Sequence, residues 1–578
     1  MRPHGLEQNQ PSERSRSFGQ RTRVVGMSNS SSHPLRPADW WQDAVIYQVY
    51  PRSFADSNGT GLGDLKGIQG HLGDLKSLGV DAVWLSPFYP SPQNDAGYDV
   101  SDYTDVDPSF GVLADAEKLI FSAHELGLRI IVDLVPNHSS SEHRWFQEAL
   151  ASTPGSNARA RYIFRDGLGE DGDIPPNNWE SVFGGPAWTR ITQADGSPGQ
   201  WYLHLFDSSQ PDFDWTNQEV WEHFDGVLRF WLDRGVDGFR VDVAHSLMKE
   251  PGLPDLSDAQ LADRSPGAAK PFWDQDAVHD VYRHWSGILA EYGEDRILCA
   301  EAWVWPLERM ARYVRPGEMH QAFNFAYLSA PWQPEALRDV IDESLKAFGD
   351  AGAPSTWVLS NHDVVRHTSR LALADQESIV PGGLGPNSPE RPDPALATRR
   401  GRAATALMLA LPGSAYLYQG EELGLPEVID IPDALREDPT FHRTNGERYG
   451  RDGCRVPIPW VKDAPAFGFS PSRETWLPQP EVFGELARDQ QEGDPSSTLE
   501  LYKTLLQLRK EHALGTGQLS WQESADPQAL RFQNGNVTVL CNFGNHPVAL
   551  PDGKIIASSI WPAPSELAPD HTVWIKGH

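Results

Sequence analysis

Cysteine is scarce: 578 residues hold three, Cys299, Cys454 and Cys541. Three thiols cannot build a disulfide scaffold, and they fit a reducing compartment, so the chain reads as cytoplasmic. Positive charge is also short. Lys and Arg number 49 against 80 Asp and Glu, a formal net charge of −31. Phosphate backbones and anionic bilayers would repel such a surface, which argues against nucleic-acid and membrane partners. Long apolar runs are missing too. The most apolar stretch, 403 to 418, is broken by Pro412, Gly413 and Ser414, and a bilayer span needs about 20 residues. The first 37 residues are rich in Arg, Ser, Gln and Pro and have no apolar core. They read as a disordered leader rather than a secretory signal, with Met27 a second candidate start. No internal repeat is present.

Aromatic residues are plentiful: 21 Trp, 23 Phe and 15 Tyr. That is ample surface to bury, so most of the chain folds. Eight short apolar runs recur, each followed by a helix-like stretch: 44–50, 81–86, 129–135, 238–243, 297–301, 322–326, 357–360 and 415–418. They are near-continuous rather than alternating, as strands covered on both faces are. The pattern predicts an α/β fold, a parallel (β/α)8 TIM barrel, over 38–136 and 209–514. Residues 137–208 form an inserted subdomain after the third strand, where it would overhang the C-terminal rim of the barrel. Residues 515–578 alternate in Val537-Thr-Val-Leu-Cys541 and carry the turn pair Asp552-Gly553, so they read as a small β-sandwich. Helical periods are clear at Leu337, Val340, Ile341, Leu345 and Phe348, and at Leu501, Leu505 and Leu508, where Ser496 or Ser497 is a candidate cap.

The strongest chemical signal is polarity where barrel strands end. Strand three runs into Asp133-Leu-Val-Pro-Asn-His138, strand four holds Arg240-Val-Asp242, strand five ends at Glu301-Ala-Trp303 and strand seven at Asn361-His-Asp363. Charge at the end of an apolar strand is costly unless paired or used. Asp242, Glu301 and Asp363 share one end of the barrel, and neighbouring carboxylates push their pKa values apart. A carboxyl held protonated can give a proton and one held ionised can attack, which is what glycoside hydrolysis needs. Arg240, two residues before Asp242 on a strand, shares its face and can keep it ionised. His138 and His362 offer hydrogen bonds to hydroxyl groups. Tyr98, Trp303 and Phe213 offer faces for a sugar ring.

These segments resemble the four signature regions of the α-amylase family, glycoside hydrolase family 13. The resemblance runs from about Trp40 to Arg509 and takes in Gly63-Asp-Leu-Lys-Gly-Ile68, Gln210-Pro-Asp-Phe-Asp-Trp215 and Tyr418-Gln-Gly-Glu-Glu-Leu-Gly424. It implies that Asp242 is the nucleophile, Glu301 the general acid/base and Asp363 the transition-state stabiliser. Arg240, His138 and His362 would hold the sugar in the first subsite, with Tyr98 and its neighbour Asp99 beside them. Arg451 resembles the Arg that pairs with a substrate-binding Asp. The implied mechanism is double displacement with retention, with the Asp242 and Glu301 carboxyls about 5–5.5 Å apart.

The flanking motifs resemble the α-glucosidase and oligo-1,6-glucosidase branch, which implies an exo-acting enzyme on short oligosaccharides, as a monomer or homo-oligomer. Val243, after the nucleophile, points to α-1,6 linkages. Val243-Ala244-His245 together resemble maltose-preferring bacterial enzymes, and α-1,4 is the expectation. An oligo-1,6-glucosidase is the alternative, as is a transglucosylase or sugar isomerase acting on maltose or sucrose. The chemistry needs no cofactor. Asp56, Asn58, Thr60, Leu62 and Asp64 space oxygen ligands as in a hard-cation loop, and related enzymes hold a structural Ca2+ or Mg2+ in the equivalent place. Asn137 resembles a calcium ligand of amylases, a metal usually absent in the glucosidase branch.

Overall fold

The apolar runs become strands because each is buried on both faces. The structure, a computed structural model, describes residues 38–193, 195–263, 265, 267–376, 382–524 and 526–577. The leader expected over 1–37 and the candidate start Met27 lie outside them. The strands are β1 (Val45–Val49), β2 (Ala82–Leu85), β3 (Arg129–Leu134), β4 (Gly238–Val241), β5 (Ile297–Ala300), β6 (Gln321–Ala322), β7 (Thr356–Val358) and β8 (Ser414–Tyr418). Each pairs in parallel with its neighbour in sequence from β1 to β6, β7 pairs with β8, and β8 returns to β1 through Val45 and Ala415. A single bridge from Phe323 to Thr356 joins β6 to β7 and closes the ring. This is the expected TIM barrel.

One strand is shorter than its sequence suggests. Of the run 322–326 only Ala322 lies in β6, because Asn324 caps a helix over Phe325–Ser329 by accepting from Tyr327 N. Between β4 and β5 only glycine fits at position 238, since a Cβ there would lie 2.6 Å from the Ile297 carbonyl oxygen. The outer helices bury the predicted faces. Pro334–Ala351 buries Leu337, Ile341 and Phe348 and stops at Gly352, φ 82°. Thr498–Glu511 starts at Ser497, whose hydroxyl accepts from Glu500 N.

Within the stretch after β3, strands Phe164–Arg165, Trp188–Thr192 and Pro198–Leu203 form an antiparallel sheet with the last in the middle. After the barrel, Leu519–Trp521, Ala529–Asn534, Val537–Asn542, His571–Lys576 and Lys554–Ser558 form, in that order, a five-stranded antiparallel sheet. Val548–Ala549 and Glu566–Leu567 pair beside it. The large sheet docks on the helix Pro394–Met408, where Trp574 Nε1 donates to Ala406 O at 2.9 Å. Among the described residues no helix is long and apolar enough to cross a membrane.

Candidate active site

The strand ends place one guanidinium among carboxylates. Arg240 on β4 is almost fully buried. Its Nη1 donates to Asp133 Oδ1 at 2.9 Å and to Asp242 Oδ1 at 2.5 Å, and its Nη2 lies 3.8 Å from Glu301 Oε2. Asp133 also accepts from Trp84 Nε1 and Tyr98 OH, at 3.2 and 3.0 Å. Burial raises Asp133, Asp242 and Glu301 towards their neutral forms, and Arg240 opposes it in each. Attraction falls with distance, so Arg240 favours the ionised form most at Asp242 and Asp133 and least at Glu301. At Glu301 the Val243 N–H opposes burial as well, and Asp133 and Asp242 are each raised to about 7. Asp363 differs. Burial pushes its carboxyl up, but His362, Arg451, Arg455 and Arg240 outweigh burial and hold it well below the usual carboxylate range. Arg451 Nη1 and Arg455 Nη2 both donate to its Oδ1, at 3.1 and 2.9 Å.

A cavity of about 880 Å3 opens onto these groups. Asp95, Tyr98, His138, Asp242, Val243, Glu301, Asp363 and Arg451 line it, as do Phe206, Trp273 and Trp303. Its size suits a small ligand with convergent polar groups. His138 is neutral, because burial lowers it to about 4. The Tyr98 ring stacks on His362, 5.2 Å between centroids and 9° between planes. Behind the ring, His362 Nδ1 lies 2.7 Å from Gln48 Nε2. Val243 has φ 42°, a left-handed backbone that costs a β-branched residue on the order of 1–3 kcal/mol. Its N–H donates to Glu301 Oε2 at 2.8 Å.

Of the expected substrate contacts, Arg240 and His362 are buried and do not line the cavity, and two more lie elsewhere. Phe213 is fully buried and stacked on Tyr162, 4.9 Å and 23° apart, because its backbone pairs with Asn137 and Tyr162 and turns the ring into the core. Asp99 is buried too. It accepts from Ser91 Oγ and from the N–H groups of Asn94 and Asp95, which makes it the cap of the 91–99 loop. The carboxylate that reaches the cavity is Asp95, bonded to Arg451 Nη2 at 2.7 Å. Its place in a loop gave no pattern to read. Arg455, at the end of Arg451-Asp-Gly-Cys-Arg455, has a role on Asp363 that the sequence did not assign to it.

The Asp56–Asp64 loop closes on itself. Asp56 Oδ1 accepts from Asn58 and Gly59 N–H, and its Oδ2 from Gly61 N–H and Ser470 Oγ. Asp64 takes Ser57 and Gly67 N–H. Thr60 adds no charge. In this arrangement backbone N–H groups brace both carboxylates, as they do in metal-free turns and in hard-cation loops alike. Among the described residues no group of three or more His, Cys, Asp or Glu side chains is placed to hold a metal. Asn137, the amylase-like calcium position, is served by an ammonium. Lys249 Nζ donates to Asn137 Oδ1 at 2.8 Å and lies 2.9 Å from Asp212 Oδ2.

Comparison with known proteins agrees with this geometry. The family description "Alpha amylase, catalytic domain" matches residues 48–517. A probable α-glucosidase of Rhizobium meliloti strain 1021 is 38% identical over 540 residues, covering 89% of this chain and 91% of the relative. The oligo-1,6-glucosidase of Parageobacillus thermoglucosidasius is 35% identical over 562 residues, covering 89% and 92%. Among solved structures, the α-glucosyl transfer enzyme XgtA is 34% identical and superposes with a TM-score of 0.79 over 93% of this chain and 99% of its own.

Proposed function

Because this chain belongs to the α-amylase family of glycoside hydrolases, we propose that it is a retaining, exo-acting α-glucosidase. It releases glucose from the non-reducing end of short α-glucosides, with maltose-type α-1,4 linkages preferred. The observation that carries the reading is the unequal hold of Arg240 on its carboxylates, 2.5 Å from Asp242 against 3.8 Å from Glu301. It separates the two roles a retaining glycosidase needs. Asp242, ionised beside the guanidinium, attacks the anomeric carbon while Glu301 protonates the leaving oxygen. The C–O bond breaks and a covalent glucosyl–Asp242 ester forms. Glu301, now a carboxylate, takes a proton from water as that water attacks the ester, and glucose leaves. Asp363, held ionised by Arg451 and Arg455, stabilises the positive charge that develops on the sugar ring.

Asp95, Arg451 and Asp363 give a non-reducing glucose polar contacts, and Tyr98 gives it a ring to stack on. A cytoplasmic setting suits three buried free thiols. One relative's name gives a 1,6 linkage and another's gives none, and a methylene in an apolar pocket shifts preference by only about 1–3 kcal/mol. The test is initial glucose release from maltose and isomaltose side by side, with the product anomer followed by NMR. Faster maltose cleavage giving α-glucose supports the proposal. Faster isomaltose cleavage makes the enzyme an oligo-1,6-glucosidase, and β-glucose as first product removes the double displacement. Asp242→Asn should abolish release while the protein stays folded. A second reading, glucosyl transfer, is favoured by the likeness to XgtA. Trisaccharides appearing before glucose in a maltose time course would support it.

A further inference from the structure

The hydrogen-bond ladder between β4 and β5 runs past the ends of both strands. Glu301 N–H donates to Val241 O at 3.0 Å, and Ala244 N–H donates to Glu301 O at 2.8 Å. The donor between them, Val243 N–H, meets no carbonyl and goes to the Glu301 side chain instead, at Oε2. It reaches that oxygen because the backbone of Val243 is left-handed, φ 42°. The turn is held from behind by Ser246 N–H on Val243 O, at 2.9 Å. The nearest guanidinium nitrogen, Arg240 Nη2, stands on the same carboxyl oxygen, at 3.8 Å. Both electropositive groups thus favour negative charge on Oε2. The other oxygen, Oε1, has no hydrogen bond to a described residue, and the carboxyl lines the cavity.

We propose that Val243 is a positioning residue for the proton donor: its left-handed backbone delivers an N–H to Oε2 of Glu301, so that the proton for the leaving oxygen is carried on Oε1. The proton passes from Oε1 to the glycosidic oxygen as the C–O bond breaks, and the charge left behind settles on the carboxyl whose Oε2 is already bonded. This rests on Glu301 being the acid/base. It makes position 243 act on catalysis through its backbone, apart from any contact its side chain makes with substrate.

The decisive variant replaces Val243 by its α-hydroxy counterpart, which turns one amide into an ester and removes the N–H while keeping the side chain. Two substrates are compared by kcat/KM: maltose, whose leaving group needs the proton, and 2,4-dinitrophenyl α-glucoside, whose leaving group does not. We expect maltose cleavage to fall at least 10-fold and aryl glucoside cleavage to stay within about 3-fold. The alkaline limb of the maltose pH profile should move to higher pH, because an N–H that favours the carboxylate is gone. Equal losses on both substrates, or an unmoved limb, overturn the proposal. Should the ester protein fail to fold, Val243→Gly keeps the N–H and takes a positive φ freely. It should leave the alkaline limb in place, whatever the lost side chain costs maltose binding. A limb displaced to higher pH in that variant also overturns the proposal. Glu301→Gln serves as the control: full maltose activity there would sink the acid/base assignment itself, whatever Val243 does.

Discussion

Arg451 Nη2 stands 2.7 Å from Asp95 Oδ1, and the same guanidinium reaches Asp363 Oδ1 at 3.1 Å and Asp438 Oδ2 at 2.5 Å. One side chain from the irregular segment after β8 thereby ties the loop after β2 to the end of β7. Its planar fork does this and a lysine's point charge cannot. Arg451→Lys should lower kcat/KM on maltose by about 10²-fold, mostly through KM. Steady-state kinetics check this, and a change below threefold would mean that Asp95 and Asp363 are oriented by other groups.

Lys249 sets an ammonium between Asn137 and the buried carboxylate of Asp212. Lys249→Met leaves the buried Asp212 carboxylate without its cation. Breaking such a pair typically costs about 3–5 kcal/mol. Urea denaturation should show a loss of that order, and added Ca2+ should not restore it.

Gly238→Ala places a methyl 2.6 Å from the Ile297 carbonyl. Backbone cannot yield there without parting β4 from β5, the strands that carry Asp242 and Glu301. The expected result is a loss of about 3 kcal/mol or more, with activity falling in the fraction that still folds. A soluble variant of normal Tm and activity would contradict the register of these strands.

Acid should weaken the fold through buried histidines. Burial lowers His223 to about 4, and its Nε2 has no hydrogen-bond partner among the described residues. A group depressed in the folded state contributes stability above its unfolded pKa, near 6.5, and that contribution is lost as pH falls towards 4. From pH 7 to pH 5 the loss is about 2 kcal/mol for this one site. His223→Phe should narrow the difference in Tm between pH 7 and pH 5. An unchanged difference would show that the fold does not hold this imidazole below its unfolded pKa.

The sequence displayed the barrel because strands buried on both faces leave near-continuous apolar runs, and all eight became strands. It displayed Asp242, Glu301 and Asp363 because charge at the end of such a run stands out. It did not display Asp95, since an acid among loop residues looks like any turn former, and Asp99 carried the better motif. Phe213 misled for a related reason. Its motif fixes the backbone beside Asn137, but the ring's direction depends on Tyr162, distant in sequence. Run 322–326 looked like a strand until Asn324 supplied a helix cap, a competition that apolar pattern alone does not reveal.

The short β6 has a consequence for how the ring opens. Where other neighbours share a ladder, β6 and β7 share one bridge, and Asn324 carries the rest. It donates its N–H to Thr356 O at 2.9 Å and its side-chain amide to Ser344 and Ser355 Oγ, at 2.7 and 3.1 Å. The barrel is thus a hoop with a seam, and the seam is fastened by one bridge and by the backbone and side chain of Asn324 rather than by a ladder. Local opening begins where the fewest backbone bonds must break. Amide protons around Phe323 and Thr356 should therefore exchange before those of β1 to β5, and the two halves of the hoop part there first.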